Sequence, residues 1–131
     1  MRALVVDDSR AIRVIVGRSL KELGFEVIEA GHGQEALERL AEASAVIALV
    51  DWNMPIMNGL EFVKAVRADA RHVGMRIMMV TTESELGNVQ RALEAGADEY
   101  VMKPFTKDML SDKLAMLGFS ASEAAPQIEG A

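Results

Sequence analysis

Cysteine is absent from the 131 residues. Neither a disulfide framework nor a thiolate-bound metal is therefore available to this chain. Clustered basic residues are missing as well: 14 Lys and Arg stand against 20 Asp and Glu, a formal charge of -6. Binding to a phosphate backbone rests on clustered Lys and Arg, which argues against a general nucleic-acid binder. No apolar stretch approaches the roughly 20 residues that cross a bilayer. Charges interrupt the chain from Arg2 and Asp7 onward, so no secretory leader is expected. Together these absences predict a cytoplasmic protein with no membrane partner. What is present is a chain of single-domain length, half of it hydrophobic and long enough for a substantial core.

Three acidic residues and one lysine each stand just past an apolar run. Ala3, Leu4, Val5 and Val6 lead to Asp7 and Asp8, residues 46–50 (VIALV) lead to Asp51, and Tyr100, Val101 and Met102 lead to Lys103. A short apolar run bounded by polar residues reads as a buried parallel strand, and in such sheets ligands sit outside the carboxyl ends of the strands. The four charges are therefore expected to converge. Three carboxylates that meet repel one another by roughly 4 kcal/mol per pair at about 4 Å and an effective dielectric near 20. Such a cluster calls for a cation.

Helical spacing alternates with these runs. Ile12, Ile15, Val16, Leu20 and Leu23 predict a first helix, ended by Gly24, which tolerates the left-handed conformation common at helix ends. Residues 25–29 (FEVIE) partly alternate apolar with charged, which predicts a less buried strand at a sheet edge. Ala36, Leu37, Leu40 and Ala41 carry a second helix. Asn58 is a good N-cap for a third, with Leu60, Val63 and Val66 on its apolar face and its end near residues 69–71. Residues 76–80 (RIMMV) predict the fourth strand. Leu86, Val89 and Leu93 mark a fourth helix stopped by Gly96, and a fifth starts near Thr106 and uses Leu110, Leu114 and Leu117 before Gly118.

Five strand–helix repeats, each too small to stand alone, call for one parallel sheet with helices on both faces and right-handed crossovers. The mixed second strand and the short fifth belong at the edges. The order 2-1-3-4-5 meets that condition and sets strands one and three side by side at the topological switch point, where Asp7, Asp8 and Asp51 share one crevice. The expected architecture is a flavodoxin-like, doubly wound α/β sandwich over residues 1–118. Residues 119–131 lack periodicity and are expected to form a flexible tail.

The segments VVDDSR, VDWNMPIMNG, VTTES and YVMKPF, at strands one, three, four and five, resemble the signatures of the phosphoacceptor receiver domain of two-component signalling. They are most similar to its stand-alone, chemotaxis-type members, and the likeness spans residues 3–117. The order 2-1-3-4-5 is itself a known order for that family's sheet. The resemblance implies that Asp51 takes a phosphoryl group from a phosphohistidine on a histidine kinase or phosphotransfer protein, a case of covalent catalysis by a carboxylate. It implies Mg²⁺ as cofactor, with Asp8 a direct ligand, Asp7 acting through water, Asp51 giving one oxygen and Asn53 its backbone carbonyl. Lys103 would pair with the phosphoryl oxygens, with a cis peptide before Pro104. Thr81 and Tyr100 would form the switch, and Asn53 and Glu83, two residues beyond Asp51 and Thr81, would tune hydrolysis.

Taken singly, these residues have plainer readings. Asp51 is a residue suited to capping the following helix, Asp7-Asp8-Ser9 a helix N-terminus, Thr81 a strand end and Lys103-Pro104 a loop. Their joint register favours the acceptor site. A haloacid-dehalogenase phosphatase also uses an Asp nucleophile, but with a second Asp two residues later, whereas Asp7 is followed by Asp8 and Ser9. A non-phosphorylated receiver-like scaffold is the third reading. With no effector segment following residue 118, output is expected through binding of a target protein at the face around Tyr100 and Lys107, including Asn88 and Arg91, on a monomer. Thr82 stands where a smaller residue is more usual in the family, and Asn58 where Asp is. His32, in the turn Gly31-His32-Gly33, and His72 are read as isolated surface histidines. Met54 and Met57 are expected to be the most exposed methionines.

Overall fold

Branched aliphatic runs become strands and the amphipathic stretches between them become helices, in strict alternation. The structure, a computed structural model, describes residues 1–119. The strands are β1 (Arg2–Val6), β2 (Glu26–Ala30), β3 (Ile47–Asp51), β4 (Arg76–Thr81) and β5 (Glu99–Met102). The helices are α1 (Arg10–Glu22), α2 (Gly33–Glu42), α3 (Gly59–Arg67), α4 (Val89–Ala95) and α5 (Lys107–Met116). All strand pairs are parallel, in the order β2-β1-β3-β4-β5. The expected flavodoxin-like α/β sandwich is therefore the observed one, with the less buried β2 and β5 at its edges.

Alternation along the strands sorts the core into two layers. Leu4, Val6, Ala48, Val50, Ile77 and Met79 face α2, α3 and α4, where Ala36, Leu40, Phe62, Val63, Val66 and Ala92 meet them. Ala3, Val5, Ile47, Leu49, Met78, Val80 and Val101 face α1 and α5, packing on Val16, Leu20, Leu110 and Leu114. Both faces of the central strands are thus buried, which is why their sequences are apolar without interruption.

Several helical expectations shift once the packing is known. Ile15 is 60% exposed and Ala41 is exposed, so α1 and α2 bury narrower stripes than their spacing suggests. The predicted fourth helix begins as a 3-10 segment, Glu83–Asn88, and only Val89–Ala95 is α-helical. Leu86 and Leu93 lie toward solvent there, and Ala92 fills the core position. Helix α3 ends at Arg67, before the expected 69–71. Its Arg67 guanidinium donates to the Gly96 carbonyl at 2.9 Å, to the His72 carbonyl at 3.3 Å and to Asp98 at 2.9 Å. His72, whose carbonyl it holds, is buried and is not the surface residue expected. His32 is a helix cap, its Nδ1 accepting the Glu35 amide at 3.1 Å. The exposed methionines are Met1, Met102, Met109 and Met116, while Met54 and Met57 pack against the core. Phe119, assigned to the tail, stacks edge-on against Phe25 with ring centroids 6.0 Å apart. The rest of the expected tail lies outside the described residues.

Candidate phosphoacceptor site

The same alternation that sorts the core brings the charges together. Asp7 is two residues past Val5, Asp51 two past Leu49, and Lys103 two past Val101, so all three continue the α1/α5 face of the sheet beyond its carboxyl edge. Lys103 Nζ lies 3.3 Å from Asp51 Oδ1 and 3.4 Å from Asp7 Oδ2. Asp7 and Asp51 are buried and Asp8 is exposed at the rim. One oxygen from each of Asp7, Asp8 and Asp51 lies within 4.8 Å of the others. The four charges converge as their positions in sequence predict.

Local structure holds each group in place. The Asp7 carboxylate accepts the Ser9 amide at 2.8 Å, and Ser9 caps α1 by accepting the Ile12 amide at 3.3 Å. Arg13 donates to the Asp7 carbonyl at 2.6 Å and pairs with Glu29 at 3.0 Å, which ties the loop to α1 and β2. Behind Asp51, Asn58 and Glu61 form a reciprocal capping box at the start of α3. Gly59 packs so closely there that an added Cβ would sit 2.5 Å from the Asp51 carbonyl oxygen. Between them the Met57 amide donates to the Pro55 carbonyl at 2.6 Å, closing a three-residue turn around Ile56, whose φ is +68°. The Lys103-Pro104 peptide is cis, as the resemblance implies.

Electrostatics follow from this crowding. Burial, reinforced by repulsion from Asp7, raises the Asp51 carboxyl from 3.8 to about 6 against the opposing pull of Lys103. Burial works against the Lys103 charge, yet Asp51 and Asp7 outweigh it and hold the ammonium above its ordinary value. The lysine alone does not neutralise the cluster. All the donors are hard carboxylate oxygens and one of them is open to solvent, a set suited to Mg²⁺ with retained waters.

The remaining sequence-predicted residues lie on β4, β5 and α5 and in the segments after β3 and β4. Thr81 is buried at the end of β4, its hydroxyl donating to the Thr82 carbonyl at 3.2 Å. Tyr100 pairs in register with Met79, two residues before Thr81, so both side chains share the α3/α4 face of the sheet. The Lys113 ammonium sits 4.5 Å above the Tyr100 ring centroid and 3.2 Å from Glu99. Lys107, expected on the same surface, instead reaches Glu22 of α1 at 3.5 Å. It belongs to the opposite side of α5. Asn53 and Glu83 are both exposed. The Asn53 side-chain amide donates to Glu85, which also accepts the Thr82 amide at 3.0 Å. Glu85 is marked in the sequence only by the spacing Thr82-x-x-Glu85, a helix-start signal.

A doubly wound parallel sheet whose switch point holds a carboxylate trio and a bridging lysine defines a phosphoacceptor-type α/β domain. The chain belongs to the response regulator receiver domain family, which it matches over residues 3–115. That membership sets aside the phosphatase reading. The chain is 48% identical to chemotaxis protein CheY1 of Helicobacter pylori over 119 residues, 89% of this chain and 96% of that protein. It is 47% identical to a chemotaxis protein CheY homolog of Campylobacter jejuni over 130 residues, 97% of this chain and 100% of the relative. Among solved structures, chemotaxis protein CheY4 of Vibrio cholerae superposes with a TM-score of 0.82 at 38% identity, covering 88% of this chain and 96% of the other.

Proposed function

We propose that this protein is a single-domain, chemotaxis-type response regulator that accepts a phosphoryl group on Asp51. The contact of Lys103 with both Asp51 and Asp7, beside the Asp7-Asp8-Asp51 trio, carries this reading. Near-complete overlap with the chemotaxis relatives supports a regulator of one domain. In the transfer, an Asp51 carboxylate oxygen bonds to phosphorus while the phosphorus–nitrogen bond of a donor phosphohistidine breaks, its electron pair returning to the imidazole. Asp7, Asp8, one Asp51 oxygen and the Asn53 carbonyl would hold Mg²⁺, which offsets negative charge on the transferring group. Lys103 supplies a second positive charge beside Asp51 and Asp7.

Output is a change in surface. The phosphoryl group draws the Thr81 hydroxyl from the Thr82 carbonyl, and Tyr100, on the same face of the sheet, responds. The face it belongs to carries Met102, Met109, Lys113 and Met116 around Tyr100. A target protein binds there in preference to the phosphorylated form, since coupling requires a contact that differs between the two states. Among the described residues no helix is long and apolar enough to cross a membrane, and the expected partners are a histidine kinase or phosphotransfer protein and this target.

Intact-mass spectrometry after incubation with acetyl phosphate tests the assignment. Wild type should gain one phosphoryl group in Mg²⁺ and none in chelator, and Asp51→Asn should gain none. Equal incorporation by Asp51→Asn would remove Asp51 from its role. Trp52 adjoins Asp51 and is the only tryptophan, so its fluorescence should report Mg²⁺ in wild type and not in Asp8→Ala.

A further inference from the structure

One carboxylate outside the acidic trio reaches the same crevice. Glu85 lies in the 3-10 segment after β4, half-buried, with its two oxygens on different loops. Oε1 accepts the Thr82 amide at 3.0 Å, and Oε2 accepts the side-chain amide of Asn53. The first contact caps the segment that follows Thr81. The second fastens it to the loop that follows Asp51. Asn53 is exposed and stands two residues beyond the buried Asp51, in the loop that Glu85 fastens.

We propose that Glu85 is a positioning residue for loss of the phosphoryl group from Asp51, acting by fixing the orientation of the Asn53 side chain. This role rests on Asp51 being the phosphoacceptor. In the hydrolysis a water oxygen bonds to phosphorus and the bond from phosphorus to the Asp51 oxygen breaks, its electron pair returning to the carboxylate. One water proton passes to a phosphate oxygen. A primary amide is planar, with donors on nitrogen and an acceptor on oxygen. With Nδ2 held by Glu85, Oδ1 is turned to a set direction and can accept a hydrogen bond from the attacking water. Released from Glu85, the exposed side chain rotates and that alignment is lost. Glu85 also repels Asp51 through space, so the tether and the charge predict opposite effects. Losing the tether slows hydrolysis, whereas losing the charge eases approach of anionic groups and does not.

Wild type, Glu85→Ala, Glu85→Gln, Asn53→Ala and the double variant Asn53→Ala/Glu85→Ala are phosphorylated with acetyl phosphate and Mg²⁺. After removal of the donor, intact mass follows loss of the phosphoryl group. Both Glu85 variants should slow it by about twofold to tenfold, the rate equivalent of one hydrogen bond. The double variant should be no slower than Asn53→Ala, because the two residues act in series. Glu85→Gln keeps one acceptor for the Thr82 amide and should melt close to wild type, so a purely structural role predicts wild-type hydrolysis for it. Unchanged or faster hydrolysis, or additive effects, overturns the proposal. In the unphosphorylated protein, the Asn53 side-chain NH₂ resonances should move to free-amide positions in both Glu85 variants. Resonances that stay in place disprove the tether. Failure of wild type itself to take up phosphoryl groups would sink the acceptor reading, and this role with it, while those resonances still judge the contact.

Discussion

Lys103 sits almost equidistant from Asp51 and Asp7, 3.3 and 3.4 Å from their carboxylates, and joins the edge strand β5 to the two central strands β3 and β1. One ammonium faces two buried acids and a third at the rim. The site is therefore under-neutralised by construction, and its stability is coupled to pH and to added cations.

The sign of that coupling follows from Asp51. Its carboxyl titrates near 6 in the folded protein and near 3.8 unfolded, so the native state binds more protons between those values. Stability should fall as pH rises through this window in chelator, by about 1 kcal/mol or more once solvent screening is allowed for. Asp51→Asn removes the group and should melt higher than wild type at pH 7, with the gap closing below pH 4 or on addition of Mg²⁺. Thermal melts of both proteins across pH, with and without Mg²⁺, check this. A variant that melts below wild type at pH 7 in chelator contradicts it.

Removing the lysine should do the reverse. Lys103→Met leaves Asp7 and Asp51 facing each other without their shared cation, at a cost of roughly 2 kcal/mol for this partly buried group. Saturating Mg²⁺ should recover part of the loss. Urea unfolding in chelator and in Mg²⁺ measures both halves, and equal losses in the two conditions would show that the lysine does not serve the acidic cluster.

Ile56 holds a positive φ while 77% exposed, a conformation that a β-branched residue adopts only under constraint. Ile56→Gly should relieve about 1 kcal/mol or more of strain, less what the glycine costs in unfolded-chain entropy. The net expectation is a higher denaturation midpoint at unchanged slope. A lower midpoint would mean that the side chain makes contacts worth more than the strain.

Gly59 offers the opposite case, since its hydrogen faces the Asp51 carbonyl and the Met79 methyl group with no room for a methyl. Gly59→Ala is expected to destabilise by roughly 2 kcal/mol despite alanine's better helix propensity. It should also weaken Mg²⁺ binding, read from Trp52 fluorescence, because the displaced backbone carries Asp51. Wild-type stability in this variant would show that the Asp51 loop yields freely.

Acids and the lysine were legible because each terminates an apolar run, and the parity of a strand then decides where its end points. Edge strands betrayed themselves through Glu26 and Glu29. Glu85 was not legible in the same way: its partners lie on two loops, and only the 3-10 segment turns it toward them. Ile15, Leu86 and Leu93 follow helical spacing yet face solvent, since periodicity names a stripe without stating how much of it a neighbour covers. His72 is buried beside Arg67, whose guanidinium bonds its carbonyl and is anchored across the fold to Gly96 and Asp98, contacts that lie far apart in sequence.

Residues 7 and 103 meet across 96 positions of chain. Asp7, Asp8 and Asp51 are synthesised well before the lysine that completes their crevice, and β5, which carries it into place, is the last strand along the described residues. A chain without β5 and the residue after it therefore lacks the ammonium that faces Asp7 and Asp51. The charged crevice is thus completed only by the last described strand.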